Sequence, residues 1–168
     1  MKFFASLSIL FVCTILLTAC PISSEFPLGK KGEVSLNQNL IGIWTTDAQD
    51  IEANSVQFTK GSEANTYNFE VLEKGSMFMA DGPSFIAWLT ELNAKTFLVL
   101  QQVMDGTPQE SYYVYCIQQE KKKMTSFDIT LNVNGIEAIT SIEAYRDEVK
   151  ASMEFEDFLS SQIDWVKK

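Results

Sequence analysis

The sequence predicts a mainly β protein, an antiparallel up-and-down meander forming a barrel or strongly curved sheet, with one or two C-terminal helices packed on it. Three observations predict this class. Eight stretches rich in aromatic and β-branched residues follow one another between residues 40 and 131, a composition that fits a pleated, partly buried surface. The links between them hold turn residues and are too short for parallel crossovers, so neighbours must pair as hairpins. Beyond residue 139 the apolar spacing changes to three and four residues, the period of a helix.

The candidate strands, in order, are Leu40 to Thr46, Ser55 to Thr59, Thr66 to Leu72, Ser76 to Ala80, Ser84 to Leu92, Lys95 to Gln102, Glu110 to Gln118 and Lys123 to Leu131. Glu73-Lys74-Gly75, Asp81-Gly82-Pro83, Leu92-Asn93-Ala94 and Asp105-Gly106-Thr107-Pro108 mark turns between them. Phe97 to Leu100 and Tyr112 to Ile117 are apolar at successive positions. Both faces of those strands therefore need cover.

The C-terminus supplies candidates for that cover. Thr140 and Glu143 have the spacing of a capping box, which predicts a helix start. Ile142, Tyr145 and Val149 would line its inner face, while Arg146, Asp147, Glu148 and Lys150 would meet solvent. A second helical pattern carries Phe155, Phe158, Leu159, Ile163 and Val166, with Glu154, Glu156 and Asp157 near its positive end.

The N-terminus reads as an address. Lys2 precedes an apolar run from Phe3 to Leu17, shorter than the ~20 residues that span hydrocarbon. The run ends in Leu17-Thr18-Ala19-Cys20, which resembles the lipobox of bacterial lipoproteins. The resemblance implies that residues 1–19 are a signal peptide, removed on maturation, and that Cys20 becomes the lipidated first residue. Acyl chains buried at ~0.8 kcal/mol per CH2 would hold such a protein at a membrane. Residues 20–38 mix Pro, Ser, Gly and charge and read as anchor and flexible tether, the last of them able to pack on a single β-rich domain of residues 39–168. Pro21 is not the aspartate that, in that family, favours inner-membrane retention. The expected location is the cell envelope, at the outer membrane if the host has two.

Charge and residue usage exclude several function classes. The chain holds 13 basic and 22 acidic residues, a net charge of −9, and loss of Lys2 with the signal leaves 12 against 22, or −10. Such a balance speaks against nucleic acid and against electrostatic adhesion to anionic headgroups. With Cys13 removed and Cys20 lipidated, Cys116 stands alone, so no intramolecular disulfide is expected. There are no histidines, which removes the commonest general base and zinc ligand. The carboxylate pairs Asp47 with Asp50 and Glu154 with Asp157 read as a solvated loop and a helix start rather than a catalytic dyad. Asn132, Asn134 and Gly135 have calcium-loop spacing, but Thr130 and Ser141 stand where acids are required. We expect neither an enzyme nor a bound metal or cofactor.

Gly42-x-Trp44 on the first strand is similar to the Gly-x-Trp signature of lipocalins and their calycin relatives. The resemblance implies a small antiparallel barrel, closed at its base by the tryptophan, with a cup for an apolar ligand. The family's Thr-Asp-Tyr motif has only a loose echo in Glu110-Ser111-Tyr112, and the sole arginine, Arg146, falls in the helix pattern. Candidate cup-lining residues are Trp44, Phe69, Phe85, Trp88, Phe97, Tyr113 and Tyr115, with Phe78 beside them. Two functional expectations follow: an envelope-anchored binder of a small hydrophobic ligand, or an envelope protein-interaction module with a filled core. In the second, an acidic surface or an aromatic edge at Tyr112, Tyr113 and Tyr115 would recruit the partner.

Overall fold

The computed structural model describes residues 23–46, 53–75, 80 and 82–168. Cys20, the Asp47 and Asp50 pair, Phe78 and all of the expected strand from Ser76 except Ala80 lie outside the described residues.

Eight antiparallel strands close into a barrel. They are β1 (Gly42–Thr46), β2 (Ser55–Lys60), β3 (Tyr67–Glu73), β4 (Ser84–Leu92), β5 (Lys95–Met104), β6 (Thr107–Glu120), β7 (Lys123–Ile129) and β8 (Leu159–Lys167). Helix α1 (Ile142–Ser152) lies between β7 and β8. Each strand pairs with the next in sequence, and β8 pairs with both β7 and β1. The ring has no open end strand, so the ladder groups that an edge would expose are satisfied. Tight reversals fit the predicted turns: Asn93 and Ala94 have φ of 47° and 59°, and Asp105 and Gly106 have 50° and 76°. Two successive positive φ values are what a two-residue hairpin loop matched to strand twist requires.

Three expectations at the C-terminus are corrected. The second helical pattern is the strand β8. From Ile163 onward it alternates, Ile163 and Trp165 buried, Asp164 and Val166 exposed, and it bonds to a strand on either side. A ladder on both edges outweighs the three-and-four spacing of Phe155, Phe158 and Leu159, which is local and weak. The capping box is also shifted by one residue. Ser141 is the cap, its hydroxyl accepting from the Ala144 amide at 3.1 Å. Tyr145 and Val149 are buried as predicted, but so is Glu148, which was expected in solvent.

The barrel wall divides the apolar side chains into two clusters. The inner one holds Trp44, Phe58, Phe69, Leu100, Met124 and Trp165 among others. The outer one lies between β4, β5 and β6 and a cover made of α1, the loops flanking it and the segment before β1. This explains why β5 and β6 are apolar on both faces. Residues 24–37, read from sequence as part of a tether, lie against the wall. Ser24 exchanges two backbone hydrogen bonds with Tyr112, both 2.9 Å, and Leu28 is fully buried. Trp88 Nε1 donates to the Gly29 carbonyl at 2.9 Å, and Arg146 donates to the Leu28 carbonyl and to Thr90.

Candidate functional site

The alternation of the strands decides which predicted cup residues share the interior. Trp44, Phe69, Phe85, Tyr113 and Tyr115 belong to the inner cluster. Trp88 and Phe97 do not: both lie in the outer cluster, with Leu28 of the segment before β1 and Tyr145 and Val149 of α1. On β4, Phe85, Ala87 and Leu89 are inner residues and Trp88 is outer; on β5, Leu98 and Leu100 are inner and Phe97 and Val99 outer. Composition marks all of them as apolar, whereas only pairing sets the phase.

Aromatic rings fill much of the interior. Phe58 meets Tyr67 and Phe69 edge-on at 5.8 and 4.9 Å, Phe69 meets Phe85 at 5.8 Å, and Phe85 meets Tyr113 at 6.0 Å. Edge-to-face contacts at these separations are attractive beyond simple area burial. Beside this column is a small cavity of about 20 Å³, lined by residues that include Val56, Phe69, Leu98, Tyr115, Met124 and Trp165. That is room for a single water, and an apolar lining gives a water little to bond.

One end of the barrel is built by the Gly42-x-Trp44 element. Gly42 has φ of 139°, and a Cβ there would stand 2.6 Å from Lys167 Cε, so the glycine meets both a backbone and a packing demand. Trp44 is fully buried and its Nε1 donates to the Leu40 carbonyl at 2.7 Å. Lys167 Nζ sits 5.7 Å from the Trp44 ring centroid and donates to the Asn39 carbonyl. A lysine from the last strand thus lies over the tryptophan, a position the sole arginine does not occupy. Tyr67 accepts from the Asn37 amide at 2.7 Å and donates back to its carbonyl, fastening the 3-10 turn Gln38–Leu40 across this end.

The polar groups of the outer layer are structural in geometry. Glu148 Oε1 accepts from the backbone amides of Val133, Asn134 and Gly135 at 3.1, 2.9 and 3.2 Å, and Oε2 from Asn134 Nδ2 at 2.9 Å. Burial alone pushes its carboxyl up, but the Asn134, Gly135 and Val133 donors together outweigh this and hold it below the ordinary value. The loop read as a calcium-loop near-miss is therefore filled by a carboxylate of the same chain. Cys116 is buried, and burial pushes its thiol up against the smaller opposing effect of Lys95. A raised thiol is a poor nucleophile. Tyr113 and Tyr115 are buried and Tyr112 is half-buried, paired to Ser24. They do not form an exposed aromatic edge. Among the described residues no group of three Cys, Asp or Glu side chains converges as a metal site.

No family model matches the chain, and no curated protein matches it in sequence. A crystal structure of a DUF4909 family protein from Staphylococcus aureus subsp. aureus Mu50 is similar to it in structure, at 15% identity and a TM-score of 0.42, covering 79% of this chain and 99% of that one.

Proposed function

We propose that the protein is a bacterial envelope lipoprotein, lipidated at Cys20, whose lipocalin-like barrel works through its outer surface as a non-catalytic interaction module. The observation that carries this reading is the aromatic packing of the interior among the described residues, where Phe58, Tyr67, Phe69, Phe85 and Tyr113 meet edge to face. The cavity beside them measures about 20 Å³, against the ~300 Å³ or more of a site for a drug-sized apolar molecule. Gly42, Trp44 and Lys167 support the lipocalin-like description by closing one end of the barrel as the resemblance implies. The spacing of Leu17-Thr18-Ala19-Cys20 supports the anchor.

Two measurements test this reading. Mature protein titrated with an environment-sensitive hydrophobic fluorophore should give no saturable signal above that of an unrelated folded protein. Stoichiometric, saturable binding would replace the module with a carrier of a small apolar ligand. Wild-type protein should take up radioactive palmitate in a bacterial host and Cys20→Ser should not; equal labelling of the two would remove the anchor.

A further inference from the structure

In an up-and-down barrel the strand ends alternate between two rims. The rim carrying the connections after β1, β3, β5 and β7 is the loop rim, and the opposite one, closed by Trp44 and the 3-10 turn, is the closed rim. The charges are sorted between them. At the closed rim the strand ends and turns carry Lys60, Lys95, the run Lys121-Lys122-Lys123, Lys167 and Lys168, with Glu63, Glu91 and Glu120 as the acids among them. Lys60, Lys121, Lys122, Lys123 and Lys168 are exposed, and Glu63 is engaged by Lys31 at 3.1 Å. At the loop rim the described acids include Glu73, Asp105, Glu110, Glu154, Glu156 and Asp157, with Lys74 beside them.

We propose that the closed rim is a docking surface for a phosphate-bearing polymer. The assignment deepens the reading of the barrel as an interaction module that works through its outer surface, and it does not depend on the anchor.

The partner's chemistry follows from what the rim contains and lacks. Its charge comes from lysines, point charges on flexible stems that suit phosphate without fixing a planar geometry. Val166 is the exposed large apolar residue of this end among the described residues. Protein interfaces are depleted in lysine and depend on buried aromatic or arginine anchors, and single-stranded nucleic acid needs exposed aromatic platforms. Exposed lysines on several separate turns and strand ends fit a flexible polyanion, held by many weak contacts and release of its counterions. The acidic rim does not cancel this attraction. It lies farther away than the ~8 Å screening length at physiological salt.

The test uses mature lipid-anchored protein in phosphatidylcholine vesicles, titrated with long-chain inorganic polyphosphate at several salt concentrations. Binding should be saturable and weaken as salt rises. Lys122→Gln with Lys123→Gln should lower affinity by about tenfold or more and reduce the salt slope by about two. Lys74→Gln with Lys150→Gln, which removes the same charge elsewhere, should leave affinity within about twofold. Absence of saturable binding, or equal loss in the two double variants, would overturn the proposal. So would tighter capture of Cys20→Ser protein by phosphatidylserine vesicles than by polyphosphate, which would assign the rim to a lipid surface. The outcome is separable from the anchor reading: Cys20→Ser protein that binds polyphosphate keeps the rim assignment whatever palmitate labelling shows.

Discussion

The two rims of this barrel are made from one meander, yet they differ in both mechanics and charge. The closed rim is fastened by side chains that reach backbone: Trp44 to Leu40, Tyr67 to Asn37, and Lys167 to Asn39. Several of its polar atoms hold the 3-10 turn, and Lys60, Lys121, Lys122, Lys123 and Lys168 are exposed at its strand ends and turns. The loop rim carries the long connections instead, and Leu72, Met104, Val133 and Phe155, four large apolar residues that stand exposed, lie at its strand ends and connections. There polar side chains order the connections: Glu148 gathers the amides of the loop after β7, and Asn54 accepts from the Gly75 amide and donates its own amide to Thr46. One end is held by packing of a large ring, the other by polar side chains set among the backbone amides of its connections. The difference teaches that a barrel can assign stability to one end and leave the other to its connections.

The strongest way to break this contrast is Trp44→Ala. Truncating a fully buried ring leaves a cavity at the closed rim, and unfolding in denaturant should show a loss of about 3–5 kcal/mol; a loss below ~1 kcal/mol would mean that this end is not the fastened one. Glu148→Gln should cost less, about 2 kcal/mol, because it weakens hydrogen bonds to a charged acceptor without emptying volume. The variant also carries a pH signature. A carboxyl held low in the folded state stabilises above its unfolded value of ~4.3 and loses that contribution as pH falls through its lower folded value. The stability difference between wild type and Glu148→Gln should therefore narrow in acid, and a gap that stays constant down to the unfolding limit would argue against the carboxylate cradle. Phe155→Ser should have the smallest effect, within ~0.5 kcal/mol, since the residue is 48% exposed. A larger loss would show that the loop rim is packed more tightly than its exposure implies.

Much of the wall was legible because a strand leaves a local mark. Ser84 to Leu92 was predicted with the bounds that β4 has, and the predicted Lys95 start of β5 is also observed. Gly42-x-Trp44 was found in sequence, and its glycine does stand at a positive φ against Lys167. The misreading of β8 has a clear cause. Phe155, Phe158 and Leu159 belong to a loop and a strand start, so their spacing crosses a boundary that periodicity cannot see. Glu148 was placed in solvent because carboxylates at helix positions beside Arg146 and Asp147 ordinarily are. Its donors sit 13 to 15 residues earlier in the chain, beyond any helical period. The lysine rim did leave a signal, the run Lys121-Lys122-Lys123, but the net charge of the whole chain concealed it.

By itself the sequence determined the class of the protein: antiparallel strands joined by hairpin turns, a helix near its end, and an acidic balance without histidine. These rest on residue type and spacing over a few positions, which side-chain branching, turn chemistry and amphipathic period govern locally. Tertiary structure decided which apolar residues turn inward, sending Trp44 and Phe85 to the interior and Trp88 and Phe97 to the outer layer. It also decided that β8 closes the ring, that Glu148 is buried, and that a set of lysines gathers at the closed rim. Each of these depends on pairing between segments far apart in sequence. Register and closure are set by hydrogen bonds and packing across the barrel, and no local pattern contains them.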